Sequence, residues 1–298
     1  MHRFAVVDSA FHEGLHRQIE AQGAGFVSLF NETPEHALVE IAPLLVALDE
    51  VSSATVSLLL KLSQRSPCLS WFCSELDASA LANHLKRFHT VRLQDGGTLL
   101  LRWYDTRVQS SLMDILDESQ RSEFFCGIER WAYCDRFGKW REHAMPAPAL
   151  ETHMAGGSLE LSSRQFSALL DASQPDVVLK HLARVLPDET QRSDPQALYA
   201  LVKEQVEDAS RLGWDGLDDQ TQFLLPSLYT SGKAAKHPEF LRVMQTKAGD
   251  GEERPPLADR VQNLSEAVWT CGVPLWESAP RLAVGADSRK NLSFPDAA

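Results

Sequence analysis

Short apolar or β-branched runs alternate with amphipathic helical stretches over residues 1–145, and the alternation stops there. A chain whose hydrophobic period switches between two and about 3.6 residues must bury sheet faces under helix faces, which is the pattern of an α/β layer. Residues 4–7, 26–30, 43–48 and 68–73 read as strands, and 43–48 is apolar throughout, as a strand covered on both faces requires. Between them Phe11, Leu15 and Ile19 mark a helix begun at Ser9, and Thr33-Pro34-Glu35 opens a short one. Leu58 to Leu62 lies on a buried helix, and Ser74-Glu75-Leu76-Asp77 caps another with the stripe Leu81, Leu85 and Phe88. Asp95-Gly96-Gly97 joins residues 89–94 to 98–104 as a hairpin, glycine supplying the positive φ of the turn. Val108, Leu112 and Leu116 mark a further helix, and residues 130–134 pair with 139–143 across Arg136-Phe137-Gly138. The predicted N-terminal domain is thus α/β, a mixed sheet flanked by helices.

The C-terminal part reads as all-helical. Proline and glycine gather over residues 146–160, which predicts a linker, and a helical lobe follows over 161–247. Ser162-Ser-Arg-Gln165 is a capping box ahead of Phe166, Leu169 and Leu170. Leu198, Leu201, Val202, Val206, Ala209 and Leu212 form one long stripe closed by Gly213, and two shorter helices cover 220–229 and 238–246. Residues 247–256 are charged, glycine-rich and end in two prolines, so 248–298 is predicted to be a mobile segment and tail, carrying Val268-Trp269 and Leu275-Trp276 as apolar anchors.

Charge and cysteine usage exclude several function classes. A net charge of -12 over 298 residues opposes phosphate backbones and anionic lipid, so nucleic acid and membrane partners are not expected. No apolar run approaches the ~20 residues of a membrane span, and residues 1–15 lack the features of a signal peptide, which together predict a cytoplasmic protein. The five cysteines, Cys68, Cys73, Cys126, Cys134 and Cys271, are odd in number, form no C-x-x-C pair and read as reduced core thiols.

Few motifs carry chemistry. His12-Glu13-Gly14-Leu15-His16 matches H-E-x-x-H, in which two histidines one helical turn apart bind zinc and the glutamate is a general base. Gly14 weakens the helix that would hold those ligands, and a solvent-edge helix with two ordinary histidines is the simpler reading. A zinc-dependent hydrolase on His12, Glu13 and His16 stays as the enzymatic alternative. There is no G-x-S-x-G, no G-x-x-x-x-G-K-[ST] and no G-x-G-x-x-G, so no cofactor is expected. Asp8 and Asp49 end strands, where helix capping is commoner than catalysis. The run Arg102-Trp103-Tyr104-Asp105-Thr106-Arg107, read as the end of a strand, puts charges on one face and Trp103 on the other. An internal salt-bridge network is its first reading, and an interface through Arg102, Tyr104 and Arg107 its second. Trp269 and Trp276 are the other candidate partner-binding residues.

Several of these stretches, in order, resemble the domain-of-unknown-function family 4123. They are Ala5-Val-Val-Asp8-Ser-Ala10, Ser28-Leu-Phe30, Ala42-Pro43-Leu44-Leu45-Val46, Leu101 to Arg107, Phe124-Phe-Cys-Gly127 and Trp131, and the likeness spans about residues 3–143. Asp8, Pro43, Arg102, Tyr104, Asp105 and Arg107 fall on the family's motif positions and Trp131 on its aromatic one, and these look architectural. The resemblance implies a cytosolic chaperone or adaptor of type VI secretion. Such a protein binds a toxic effector protein and promotes its loading on the VgrG spike protein, without catalysis of its own. A structural component of a secretion machine is the remaining alternative.

Overall fold

The computed structural model describes residues 1–278 except 32, 34, 147–158 and 246–255. The linker expected at 146–160 and the segment expected at 247–256 therefore lie largely outside the described residues. The described chain divides into two compact units, Met1–Leu170 and Asp171 onward.

Asp8 closes β1 (His2–Asp8) and caps a 3-10 turn at Ser9–Phe11. Gly14 follows at φ 67 and precedes α1 (Leu15–Ala21). The single helix expected from Ser9 is thus broken in two, because a residue in the left-handed region cannot continue a right-handed helix. β2 (Val27–Ser28) is shorter than the 26–30 run, and a 3-10 turn at Val39–Ile41 stands where an α-helix was expected after Thr33. β3 (Pro43–Ala47) is almost wholly buried, as its apolar sequence predicts. α2 (Ser53–Ser63) begins where the Ser52 hydroxyl accepts from the Thr55 amide, and β4 (Leu69–Ser74) is buried at every position. Asp77 accepts from the Ala80 amide to open α3 (Ala78–Lys86).

β5 (Thr90–Leu93) and β6 (Thr98–Leu100) form the expected hairpin, with Gly96 at φ 84. The strand predicted to run on to Tyr104 ends at Leu100, and residues 101–108 run as turns. Alternation of charge and Trp103 is therefore not a strand pattern: turns hold these residues, and the contacts below decide where each side chain goes. α4 (Gln109–Ile115) and α5 (Glu118–Phe124) precede a second hairpin of β7 (Ile128–Cys134) and β8 (Trp140–Glu142). The large sheet runs β2-β3-β1-β4-β7-β8 with every neighbouring pair antiparallel. β9 (Glu160–Leu161), with no counterpart in the sequence reading, pairs parallel with β5, so the small sheet β6-β5-β9 gives the region its mixed character. One continuous core, from Phe4 to Leu161, joins both sheets to their helices.

The chain then turns helical. The Ser162 hydroxyl accepts from the Gln165 backbone amide and the Gln165 side-chain Oε1 from the Ser162 backbone amide, the predicted capping box at the start of α6 (Ser163–Val185). α7 (Pro187–Arg192), α8 (Pro195–Arg211), α9 (Leu217–Leu228) and α10 (Pro238–Gln245) follow, with Gly213 at φ 76 after α8. α11 (Leu257–Gln262), α12 (Glu266–Trp269) and α13 (Leu275–Ser278) complete the described chain. This unit has two cores, one around Trp214, Phe223, Phe240 and Val268, the other around Val178, Leu182, Val202, Leu228 and Leu275. No helix among the described residues is long and apolar enough to cross a membrane.

Candidate functional site

Strand register brings the chemistry-bearing residues of the N-terminal unit to one end of the large sheet. Asp8 lies opposite Pro43, Val7 opposite Leu69, and Ser70 opposite Tyr133. The end of β1, the starts of β3 and β4 and the end of β7 therefore coincide. The connections 9–14, 38–42, 64–68 and 135–139 gather there, and the 101–108 segment is tied to them by side chains.

Asp8 organises the cluster. Its side chain is fully buried; Oδ1 accepts from the Ala10 amide at 3.1 Å and Oδ2 from Arg102 Nη2 at 2.6 Å. Capping, the reading favoured for this aspartate, is thus combined with an ion pair. Burial raises the Asp8 carboxyl above its ordinary range, while the nearby guanidinium pulls the other way. The desolvation falls on the acid, because the Arg102 side chain keeps 41% of its surface exposed. Burial works against the charge on Arg102, but Asp8, Tyr104 and Asp105 together more than offset it and hold the guanidinium protonated. Ser9 Oγ donates to the Ala42 carbonyl at 2.6 Å, fastening the turn after β1 to the chain entering β3.

A second pair lies beside the first. Arg107 grips Asp105 through Nε at 2.9 Å and Nη2 at 2.6 Å, the fork geometry that suits a carboxylate. The same guanidinium lies 5.3 Å from the centre of the Phe11 ring, and Arg136 Nη2 donates to the Arg107 carbonyl at 3.2 Å. Tyr104 is 2% exposed, beneath Arg102 at 5.6 Å, and burial followed by the Asp8 charge pushes its hydroxyl up to about 12. It belongs to the core, in edge contact with Phe30, His89 and Trp103. The internal salt-bridge network read from residues 102–107 is present, and it reaches back to β1. Pro43 faces Asp8 across the sheet, and Trp131, fully buried, stacks on Phe124 at 5.1 Å.

The H-E-x-x-H residues are separated by Gly14. His12 Nε2 lies 3.7 Å from Cys68 Sγ, whereas His16 Nδ1 lies 3.7 Å from Glu40 Oε2 and Glu13 is exposed. The two imidazoles do not share one helix, which the zinc motif requires, and no group of three or more histidine, cysteine or acidic side chains fit to hold a metal occurs among the described residues. Burial, then Arg65, lowers the His12 pKa, and burial pushes the Cys68 thiol far above its usual range. Cys134 is pushed up to about 11 by burial. Such thiols are poor nucleophiles. Asp49, expected as a cap, instead accepts from the Arg3 amide at 2.9 Å and from Arg3 Nε at 2.7 Å, because the strand end places Arg3 beside it.

Trp269 and Trp276 lie in the other unit, both half-buried against its cores. Their rings meet Tyr229 edge-on at 6.1 and 5.0 Å, and Arg192 lies 5.7 Å from the Trp276 ring. Arg65 and Arg136 were not singled out from the sequence; each sits on a connection, and only strand register reveals that those connections meet.

Residues 3–123 match the family described as a domain of unknown function, DUF4123. The resemblance read from the sequence is thus shown over residues 3–123. The match covers β1 through most of α5 and so contains Asp8, Arg102, Asp105 and Arg107, while Arg136 falls beyond it. No curated protein and no solved structure matches the chain.

Proposed function

We propose that this protein is a non-enzymatic, cytoplasmic chaperone or adaptor that binds one type VI secretion effector and promotes its loading on the VgrG spike. The observation that carries the reading is the build of the DUF4123 sheet end: motif charges paired beneath a rim made of five connections. Loops held over a rigid scaffold are the usual form of a recognition surface. Asp8 is committed to Arg102 and an amide, Asp105 to Arg107, and Cys68 is kept a neutral thiol, so the polar groups here stiffen the frame. Affinity for a client would then come from side chains on the rim and from a few anchors.

The test is purification of the tagged protein from its native cells, with partner identification by mass spectrometry and zinc analysis of the same eluate. One effector-like protein at near-equal amount, with VgrG and without zinc, is the expected result. A protein that elutes alone with stoichiometric zinc would refute the adaptor reading and favour hydrolase chemistry at His12 and His16.

A further inference from the structure

We propose that the loop end of the large sheet is a docking surface for an acidic segment of a protein partner, gripped by Arg65 and the exposed part of Arg102 on either side of the Ser9–Phe11 turn. This rests on the adaptor reading and names the part of a client that it holds.

The chain carries a net charge of -12, so an acidic segment is repelled at long range unless a local cationic surface receives it. At this sheet end Arg65 supplies an exposed positive charge, and Arg102 keeps part of its side chain in solvent. Arg65, Arg102, Arg107 and Arg136 come to it from three separate connections, with His12 beside Cys68 at the same end. Of the acids on the same end, Asp8 is paired with Arg102, Asp105 with Arg107, Asp135 with Arg141 at 3.0 Å and Glu40 with Arg17 at 3.0 Å, while Glu13 is exposed. Arg65 is exposed and has no ion-pair partner among the described residues, and its charge is felt at His12, where it adds to burial in keeping the imidazole neutral.

Arg102 is held from behind. Its Nη2 is fixed on the buried Asp8 while 41% of the side chain remains in solvent, so the guanidinium is oriented before any ligand arrives. A pre-oriented guanidinium loses less freedom on binding a carboxylate than a free one. Phe11 and Phe137, both half-buried on connections at the same end, offer the segment apolar surface as well. Charge-assisted contacts flanked by aromatic surface suit aspartate or glutamate interspersed with apolar residues.

The experiment uses the full chain and three short fluorescein-labelled peptides of equal apolar content carrying glutamate, glutamine or lysine, read by fluorescence anisotropy. Preferential binding of the glutamate peptide, weakened by salt, is expected, together with a loss of about tenfold in Arg65→Glu. Glu13→Gln removes an exposed like charge and should tighten binding. Equal binding of the glutamate and glutamine peptides, or an unchanged affinity in Arg65→Glu with the fold intact by circular dichroism, overturns the proposal. Wild type and Arg65→Glu are also used as bait in native cells: a client retained equally by both sinks this surface and leaves the adaptor reading standing. Peptide binding with no client on either bait keeps the surface and sinks the adaptor reading.

Discussion

The N-terminal unit buries ionisable groups, whereas the C-terminal unit brings backbone to within van der Waals contact of backbone. In the first, a fully buried aspartate is paired with arginine, and His84, His89 and His143 are held neutral by burial, the last two at about 4. In the second, Gly272 lies against the Thr230 carbonyl so closely that a Cβ there would overlap it, and the Ser231 hydroxyl donates to the Val273 carbonyl at 2.7 Å. The difference teaches that one unit should answer to pH and charge deletion and the other to added volume.

Acid is the largest test. An imidazole whose folded pKa lies below its unfolded value of 6.5 contributes stability that is fully present above 6.5 and is lost as pH falls toward 4. For His89 and His143 the loss is about 3 kcal/mol each by pH 4. Asp8 acts in the opposite sense, because its raised carboxyl is easier to bury once protonated, and it offsets part of the loss. Urea unfolding at pH 7 and pH 5, followed by hydrogen exchange, should show peptides of 1–145 losing protection first. A unit equally stable at both values would break the comparison.

Deleting one member of the ion pair comes next. Arg102→Ala strands a carboxylate with no exposure and should cost about 3 kcal/mol or more at pH 7, an effect that shrinks in acid as Asp8 takes up a proton. Asp8→Asn keeps an oxygen for the Ala10 amide and leaves a half-exposed arginine that water can solvate, so about 1 kcal/mol or less is expected. Adding Asp8→Asn to Arg102→Ala should restore most of the stability. Denaturant midpoints of the three variants decide it, and additive losses would mean that the pair is not the unit of stability.

Gly272→Ala probes the other side of the comparison. Overlap with a backbone carbonyl cannot be relieved by rotating a side chain, so about 2 kcal/mol is expected, confined to hydrogen-exchange peptides of the C-terminal unit and independent of pH. The same geometry changes how the tail is viewed. Leu257, Val261, Val268 and Leu275 are core residues, so truncation before them removes core packing along with any binding surface.

Legibility in the sequence followed the range of the interaction. Local signals held: Asp77 caps α3, Ser162 and Gln165 box the start of α6, Gly96 turns the hairpin, and Gly213 stands just past the end of α8. Gly14 was read as weakening a helix and in fact divides it, because its effect depends on φ, which composition does not report. β9 was missed since two residues carry no periodicity and their partner is β5, far back in the chain. At the site, Asp8, Arg102, Asp105 and Arg107 were legible as a motif, and the pairing of the last two is local. The link from Arg102 to Asp8 and the approach of Arg65 and Arg136 depend on strand register, and a single sequence holds no signal for it.

The smallest effect separates packing from recognition at Trp276. The ring is half-buried, meets Tyr229 at 5.0 Å and 84°, and lies under Arg192, so it has neighbours in its own unit with which to interact. Replacing it with alanine removes one edge-to-face contact and part of a large apolar surface, about 1 kcal/mol of stability in the C-terminal unit. Thermal melts should show a modest drop in the transition of that unit, while capture of the client at a temperature well below it stays unchanged. Unaltered melting together with lost capture would make Trp276 an anchor for a partner, and the C-terminal unit would then share the work of recognition with the arginine rim of the other.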